Sequence, residues 1–468
     1  MLNPLPVAPH FRPPLDAAIV PAALWNRAYR AMGANQPLAI ALERGDGAIS
    51  VFRTAALPHE GACAALNNRY VERLVKFLLW QKGGYRIAIA GPGEIAEAIR
   101  RAYSPTGSRA FDYEFMGERV YGKPVEVLSV PYDRAPDERE TAAPLGRHLD
   151  GCRIGFDLGA SDRKCAALYG GRVVFSEEVP WNPGAQTDPQ YHFDGIQDSL
   201  RRAAAALPRV DAIGGSAAGV YFNNEVRVGS LYRGVPRHLF DTRIRRLFFD
   251  LRAAWGGIPF EVVNDGEVAA LAGSMALGDN AVLGIAMGSS QAAGFVTPAG
   301  AITTWLNELA FAPVDYREDA PADEWSGDRG VGVQYFSQQA VARLLAPAHI
   351  ELPAGMPPAE KLERVQAMMS AGDPRARRIY ETIGVYFGYA IAHYADFYEV
   401  KNLLALGRVM TGDGGGLILS TAAQVLREEF PELSGRIRIH IASEREKRHG
   451  QAIAAASLPA IPTQEKRL

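Results

Sequence analysis

The stretch Ile154-Gly155-Phe156-Asp157-Leu158-Gly159-Ala160-Ser161 decides how the rest of the chain is read. An apolar run ends in an aspartate, and a turn of small residues follows at once. Two more short runs come directly after it, Lys164–Tyr169 and Arg172–Val179, with Gly170-Gly171 between them. Three closely spaced strands are predicted, over 153–157, 164–169 and 172–179. Glycine lets backbone N–H groups approach an anion closely. An aspartate at a strand end can hold hydrated Mg²⁺, which favours carboxylate plus water. Ser161 can donate to a phosphate oxygen. The same residues also suit an ordinary hairpin whose turn carries Asp and Gly, and the segment alone leaves both readings open.

Helix and strand alternate downstream, which argues for parallel or mixed sheets covered by helices. Within this pattern the strand Phe260–Asn264 runs into Asp265, and an alanine-rich helix starts at once. A carboxylate at the carboxyl end of a strand lies where open α/β sheets bind ligands. There it can accept the proton of an attacking hydroxyl. It can equally be the N-cap of the helix. Asn264 beside it can hydrogen-bond a neighbouring hydroxyl. The segment Leu283–Gly294 repeats the first motif, with a strand, a turn at Gly288-Ser289-Ser290 and a second strand. Leu404–Leu417 is a strand followed by a glycine-rich stretch, Gly412-Asp413-Gly414-Gly415-Gly416, read here as a loop before a helix. Such a loop can lie against a nucleotide base or present N–H groups to phosphates.

Ahead of Gly151 the chain reads differently. An extended proline-rich arm opens it, strands are predicted at 38–42, 48–53 and 85–90, and a helix over 70–80 ends at Gly83-Gly84. Residues 135–149 mix Pro, Asp, Glu and Arg without periodicity and read as a linker. The division expected is therefore 1–150 as an N-terminal α/β region with its linker, 151–263 as a first lobe and 264–468 as a second. The last helix is expected to return to the first lobe. The formal net charge of -2 over 468 residues argues against a general nucleic-acid binder. No apolar run is long enough for a membrane span. The three cysteines, Cys63, Cys152 and Cys165, fit neither a disulfide framework nor a zinc site, so a cytoplasmic location is expected.

In their order and spacing the four segments resemble the sugar-kinase, heat-shock-protein and actin superfamily, and more narrowly the ROK family (repressors, open reading frames and kinases). The resemblance covers about Gly151 to Pro459, with Asn264-Asp265 and Asn307-Glu308-Leu309-Ala310 its most specific parts. It implies a two-lobed actin-like ATPase fold of the ribonuclease-H-like type. It further implies an ATP-dependent kinase acting on a hydroxyl of a sugar or sugar-like molecule. Asp265 would be the catalytic base, and Asn264 and Glu308 would bind acceptor hydroxyls. Asp157, Gly159 and Ser161 would face Mg²⁺ and phosphate, Asp157 holding the ion through water. Gly288, Ser289 and Ser290 would do the same from the second hairpin, and Gly414, Gly415 and Gly416 would lie near adenosine. A homodimer is implied as well.

The departures are specific. Phe311 stands where ROK kinases carry a His, and 327–335 contain no cysteine, so no structural zinc is expected. Val333, beside Gln334, replaces a sugar-binding Glu. Ser290, Ala292, Ala293, Arg408 and Val409 replace glycines. Phe311 and Trp305 could form an apolar acceptor pocket or belong to the core. His192 with Tyr191 and Asp194 is a weaker substrate candidate, Asp323–Asp328 reads as a solvated loop, and His393 and Tyr394 read as packed. The competing function is a non-catalytic ROK-like sugar-sensing regulator. Such regulators carry an N-terminal helix-turn-helix, which the region before Gly151 does not match.

Overall fold

From Tyr70 onward the helix Gly61–Lys82 is buried nearly all round, with Tyr70, Val71, Leu74, Val75, Phe77, Leu78, Leu79 and Trp80 inside. A helix apolar on every face must be covered on every face. In this computed structural model, which describes residues 5, 7–140, 142–143, 145–441 and 444–462, the cover comes from several elements. The helix touches the strand Gln36–Glu43, the helix Gly93–Ala102 and the turn Leu309–Phe311. Phe77 stacks on Phe397 at 3.9 Å and meets His393 edge-on at 4.8 Å. Residues 1–4 and 6 of the proline-rich start, and 463–468 of the last lobe, lie outside the described residues.

Residues 1–141, 285–293 and 304–441 form one compact unit, and 142–284, 294–303 and 442–468 a second. Of the region read as 1–150, residues 1–141 are thus packed with 304–441, and 142–150 belong to the second unit. Its sheet has the strands Ile49–Ala56, Gln36–Glu43, Arg86–Ala90 and Glu126–Val130 in that order. The first two pairings are antiparallel and the last is parallel. A helix at Ala22–Ala31, inside the stretch expected to be extended, stacks Tyr29 on Tyr70 at 4.0 Å. The long helix ends at Gly83, whose φ of 78° favours glycine. A Cβ there would lie 2.1 Å from the Tyr121 hydroxyl. The stretch read as a linker is tied down. Arg139 and Ile49 exchange backbone hydrogen bonds of 2.8 Å, and Glu140 pairs with the buried Arg44 at 2.6 Å.

Beneath the aromatic packing lies an ion core. The Lys76 ammonium donates to Asp112 Oδ1 at 2.8 Å and to Asp328, and Trp80 Nε1 donates to Asp112 Oδ1 at 2.7 Å. Arg109 binds Asp328 from the other side. The solvated-loop reading of Asp323–Asp328 holds for Glu324, Trp325 and Gly327, which are exposed, and fails for Asp323 and Asp328, which are 4% and 6% exposed. Asp328 is shared between Lys76 and Arg109, and Asp323 folds the loop by accepting from the Ser326 N–H and hydroxyl at 2.8 Å. Elsewhere in this unit Asn402–Leu406 pairs in parallel with Arg438–Ile441. The helices Pro374–Tyr394 and Gly412–Glu429 approach closely at Gly384 and Gly388, where a Cβ would meet Thr421 at 2.6 Å and Val425 at 2.5 Å.

The second unit is built on five strands in the order Phe260–Asn264, Ala212–Ala217, Cys152–Leu158, Asp162–Tyr169 and Arg172–Pro180. The first three run parallel and the last two complete an antiparallel meander. Phe156, Leu158 and Val262 share a core with Ile196 and Leu200 of the helix Pro189–Ala204 and with Phe248 and Leu251 of Leu247–Ala254. The C-terminal helix Glu444–Ala456 lies so close to the sheet that a Cβ on Gly155 would sit 1.8 Å from the Ala452 carbonyl oxygen. At Gly214 the same clash, with Ala455, would be 1.7 Å. The sequence stretch at 155 therefore carries a packing glycine two residues ahead of Asp157.

Removing one partner of a buried ion pair leaves an uncompensated charge and costs about 3–5 kcal/mol. Lys76→Ala is expected to destabilise the first unit by that order, read as a lower urea midpoint. An unchanged midpoint would show that the ion core contributes nothing to stability.

Candidate functional site

The strand Cys152–Leu158 is buried along its whole length, so the Asp157 carboxylate is carried inside with it, 6% exposed. The neighbouring strand answers it: Ser216 Oγ donates to Asp157 Oδ1 at 2.6 Å. On the other side Lys164 Nζ lies 4.0 Å from Asp157 Oδ2. Burial pushes the Asp157 carboxyl above its usual range, and the Ser216 hydrogen bond and the Lys164 charge offset this only in part. Register places Asp157, Ser216 and Val263 in one row across the three parallel strands. Asp265 comes two residues after that row, so both carboxylates lie at the carboxyl edge of the same sheet, where ligands of open α/β sheets bind.

Asp265 is not the N-cap. That position is Asn264, whose Oδ1 accepts the Gly266 N–H at 2.8 Å and whose Nδ2 donates to the Gly219 carbonyl at 2.7 Å. Asp265 is the first helical residue, partly exposed, and its Oδ1 accepts the same Gly266 N–H at 3.0 Å. A helix N-terminus favours a negative charge by about 0.3–1 kcal/mol. Here burial outweighs it, and with the Asp157 charge nearby the Asp265 carboxyl is pushed up to about 6. Two interacting carboxylates, one well buried and one raised toward neutrality, form the electrostatic centre of the second unit.

The turn between the strands is closed on itself. The Gly159 N–H donates to the Asp162 carbonyl at 2.9 Å, and the Gly159 carbonyl accepts the Trp181 indole N–H at 2.8 Å. Ser161 is exposed, and its hydroxyl donates to Asp162 Oδ2 at 2.9 Å. A phosphate would have to displace that bond to reach Ser161.

In the first unit the Gly288–Ser290 turn presents Ser289 and Ser290 to solvent, while the Gly288 carbonyl accepts the Gln338 N–H at 2.9 Å. Glu308 is half-buried, and its N–H donates to the Trp80 carbonyl at 2.9 Å, so the end of the long N-terminal helix sets its position. Gly414, Gly415 and Gly416 are not in a loop, as the sequence suggested, but in the first turn of Gly412–Glu429. Gly414 lies against the Tyr380 ring and Gly415 against the Met410 carbonyl, where a Cβ would clash at 2.3 and 2.0 Å; Gly416 faces open space. Two of the three glycines are therefore explained by packing.

The residues whose roles the sequence left open are placed as follows. Phe311 sits among aromatics, 4.6 Å from Trp80 and 5.1 Å from Trp325. The Trp305 ring carries the Lys82 ammonium at 2.9 Å from its centroid, and its Nε1 donates to Glu140 at 3.0 Å. His192 is buried, with Nε2 between the Pro183 and Leu231 carbonyls at 3.2 and 3.1 Å, and burial lowers its pKa. His393 is buried too, held down to about 3 by burial. Val333 and Gln334 are buried. Sequence reasoning missed Ser216 and Lys164. Their signal was only that they fall opposite Asp157, which needs the strand register to be known.

Among the described residues no group of three or more His, Cys, Asp or Glu could hold a metal ion, and no helix is long and apolar enough to cross a membrane. A single carboxylate suits Mg²⁺, which keeps several waters and takes its other ligands from nucleotide phosphates. Asp157 fits that role, being a buried carboxylate only partly compensated by its neighbours.

Against known proteins, no family model and no curated protein matches the chain. Solved structures do. The ROK hexokinase from Thermus thermophilus aligns at 18% identity and a TM-score of 0.52, over 65% of this chain and 96% of its own. A ROK family transcriptional regulator, a homologue of the E. coli MLC protein, aligns at 17% identity and a TM-score of 0.51, over 84% of this chain and 96% of its own. The chain has the ROK fold. The α/β, actin-like architecture expected from the four sequence segments is thus the one found.

Because the folded-state pKa of Asp265 is raised, the folded protein holds a proton that the unfolded chain has released. That contribution to stability is present below the ordinary carboxylate pKa and is lost as pH rises through about 6. Asp265→Asn is expected to raise the thermal midpoint at pH 8 and to leave it nearly unchanged at pH 4. Equal effects at both values would refute the raised pKa.

Proposed function

We propose that the chain is a divergent ROK-family phosphotransferase that moves the γ-phosphoryl group of ATP to a hydroxyl of a sugar or sugar-like small molecule. The observation that carries this reading is the pair Asp157 and Asp265 at the carboxyl edge of three parallel strands, with Asp265 pushed up to about 6. General bases work best with a pKa near the operating pH. In this reading Asp265 accepts the proton of the acceptor hydroxyl as that oxygen attacks phosphorus. Asn264, fixed by its two backbone hydrogen bonds, orients a neighbouring acceptor hydroxyl. Asp157 holds a water of hydrated Mg²⁺, and the ion supplies charge neutralisation on the phosphates. By family resemblance Glu308 is an acceptor ligand, Ser161 and Gly288–Ser290 are phosphate ligands, and Gly414–Gly416 border adenosine.

A second reading has its own support. The regulator aligns over 84% of the chain where the hexokinase aligns over 65%. Ala292, Ala293, Arg408 and Val409 also replace phosphate- and adenosine-loop glycines. A sugar sensor on the same fold would bind its ligand without turnover.

Titration with a non-hydrolysable ATP analogue and Mg²⁺ separates the two. Saturable binding that Asp157→Ala abolishes supports the phosphotransferase; no binding up to millimolar analogue favours the sensor. For the enzyme, Asp265→Asn is expected to lower kcat by about 10²–10⁴-fold with analogue affinity retained. The wild-type rate is expected to fall as pH drops through about 6, where Asp265 takes up its proton. Near-normal turnover by Asp265→Asn would end the catalytic assignment.

A further inference from the structure

The strand Asp162–Tyr169 lies between two others, and Lys164 has a carboxylate on both sides: Asp157 directly opposite on one neighbour and Glu178 directly opposite on the other. Directly opposed side chains share a face of the sheet. The Lys164 ammonium is 3.2 Å from Asp162 Oδ1 and 4.0 Å from Asp157 Oδ2. The first is a hydrogen-bond distance and the second is not, so Lys164 neutralises Asp157 without being fastened to it. Its side chain is 27% exposed and has a flexible four-carbon stem with three donors. Neighbouring Arg163 is committed elsewhere, to Ser199 at 2.8 Å and Asp198 at 2.8 Å. The turn offers little else to an anion, since the Gly159 N–H and the Ser161 hydroxyl are both spent on Asp162.

We propose, resting on the phosphotransferase reading, that Lys164 is an exchangeable counter-ion: it holds the place beside Asp157 and transfers to a donor phosphate when Mg²⁺ and nucleotide bind together. An ammonium and a divalent cation repel each other when both approach one carboxylate oxygen, so metal alone has to displace Lys164. A nucleotide phosphate removes this competition by accepting the ammonium, which leaves Asp157 Oδ2 to the hydrated ion. Metal binding is thereby coupled to nucleotide binding through one side chain.

The test compares the wild-type chain with Lys164→Met and Lys164→Gln, using Mn²⁺ alone, followed by electron paramagnetic resonance, and then the ATP analogue with Mg²⁺, followed by calorimetry. With the charge removed, Mn²⁺ alone is expected to bind about tenfold more tightly, and the Mg²⁺–analogue complex about tenfold more weakly. Lys164→Arg, which keeps the charge, is expected to restore wild-type-like Mn²⁺ affinity. Mn²⁺ affinity unchanged or lowered in both neutral variants overturns the inference, as does undiminished analogue affinity in those variants where the wild type binds it. If the wild type binds no analogue, the phosphotransferase reading and the phosphate half of the inference fail together. A Mn²⁺ gain in the neutral variants would then still uphold the counter-ion half.

Discussion

A carboxylate carried into the interior by an apolar strand has to be compensated where it lies, and Asp157 organises the second unit around that requirement. Taking the charge out of water is expensive unless hydrogen bonds and opposite charge replace the solvent. Ser216 supplies the hydrogen bond from one neighbouring strand and Lys164 the charge from the other. Neither suffices to bring the carboxyl back to its ordinary range. The strand order follows the same logic, because only a residue in register on each flank can reach Asp157. Asp265 is pushed up chiefly by its own burial, and the Asp157 charge adds to the shift. Burial is thus the larger cause of both shifts.

In the first unit a different buried charge plays the organising part. Lys76 brings a positive charge into the long helix, and Asp112 and Asp328 converge on it from distant parts of the chain. Around this core Trp80 packs on Phe115 at 5.0 Å and on Phe311 at 4.6 Å. The carbonyls of Trp80 and Gln81 accept the Glu308 and Asn307 N–H groups, so the helix terminus and the candidate acceptor segment satisfy each other. The N-terminal region, to which the sequence alone attaches no role, is the scaffold on which residues 307–311 are held.

How much of this was legible depends on which force fixed each element. The strand Phe260–Asn264 is where the sequence puts it and the helix over 70–80 lies within Gly61–Lys82, because apolar runs and apolar periodicity are local signals. The helix Ala22–Ala31 was hidden in a proline-rich arm, since Trp25 and Tyr29 declare themselves only against Tyr70. The run Gly412–Gly416 reads as a loop on propensity, yet tertiary contact with Tyr380 and Met410 makes glycine the residue that lets a helix start there. Asp157 and Asp265 were visible as strand-end carboxylates, whereas Ser216 and Lys164 become site residues only once the ladder is known.

Phe311 bears most directly on what the acceptor region can bind. At a position where the family resemblance calls for histidine, this chain has a ring packed against Trp80 and Trp325. Trp325 in turn meets Phe111 and Phe115 edge-on at 4.9 and 5.5 Å. The loop that follows is anchored through Asp328 to Lys76 and Arg109, so aromatic packing and ion pairing hold the segment 309–328. Val333 and Gln334 are buried, with Gln334 Nε2 donating to Gln339 at 2.7 Å. At the two positions where the resemblance implies His and Glu, this chain therefore carries side chains engaged in packing.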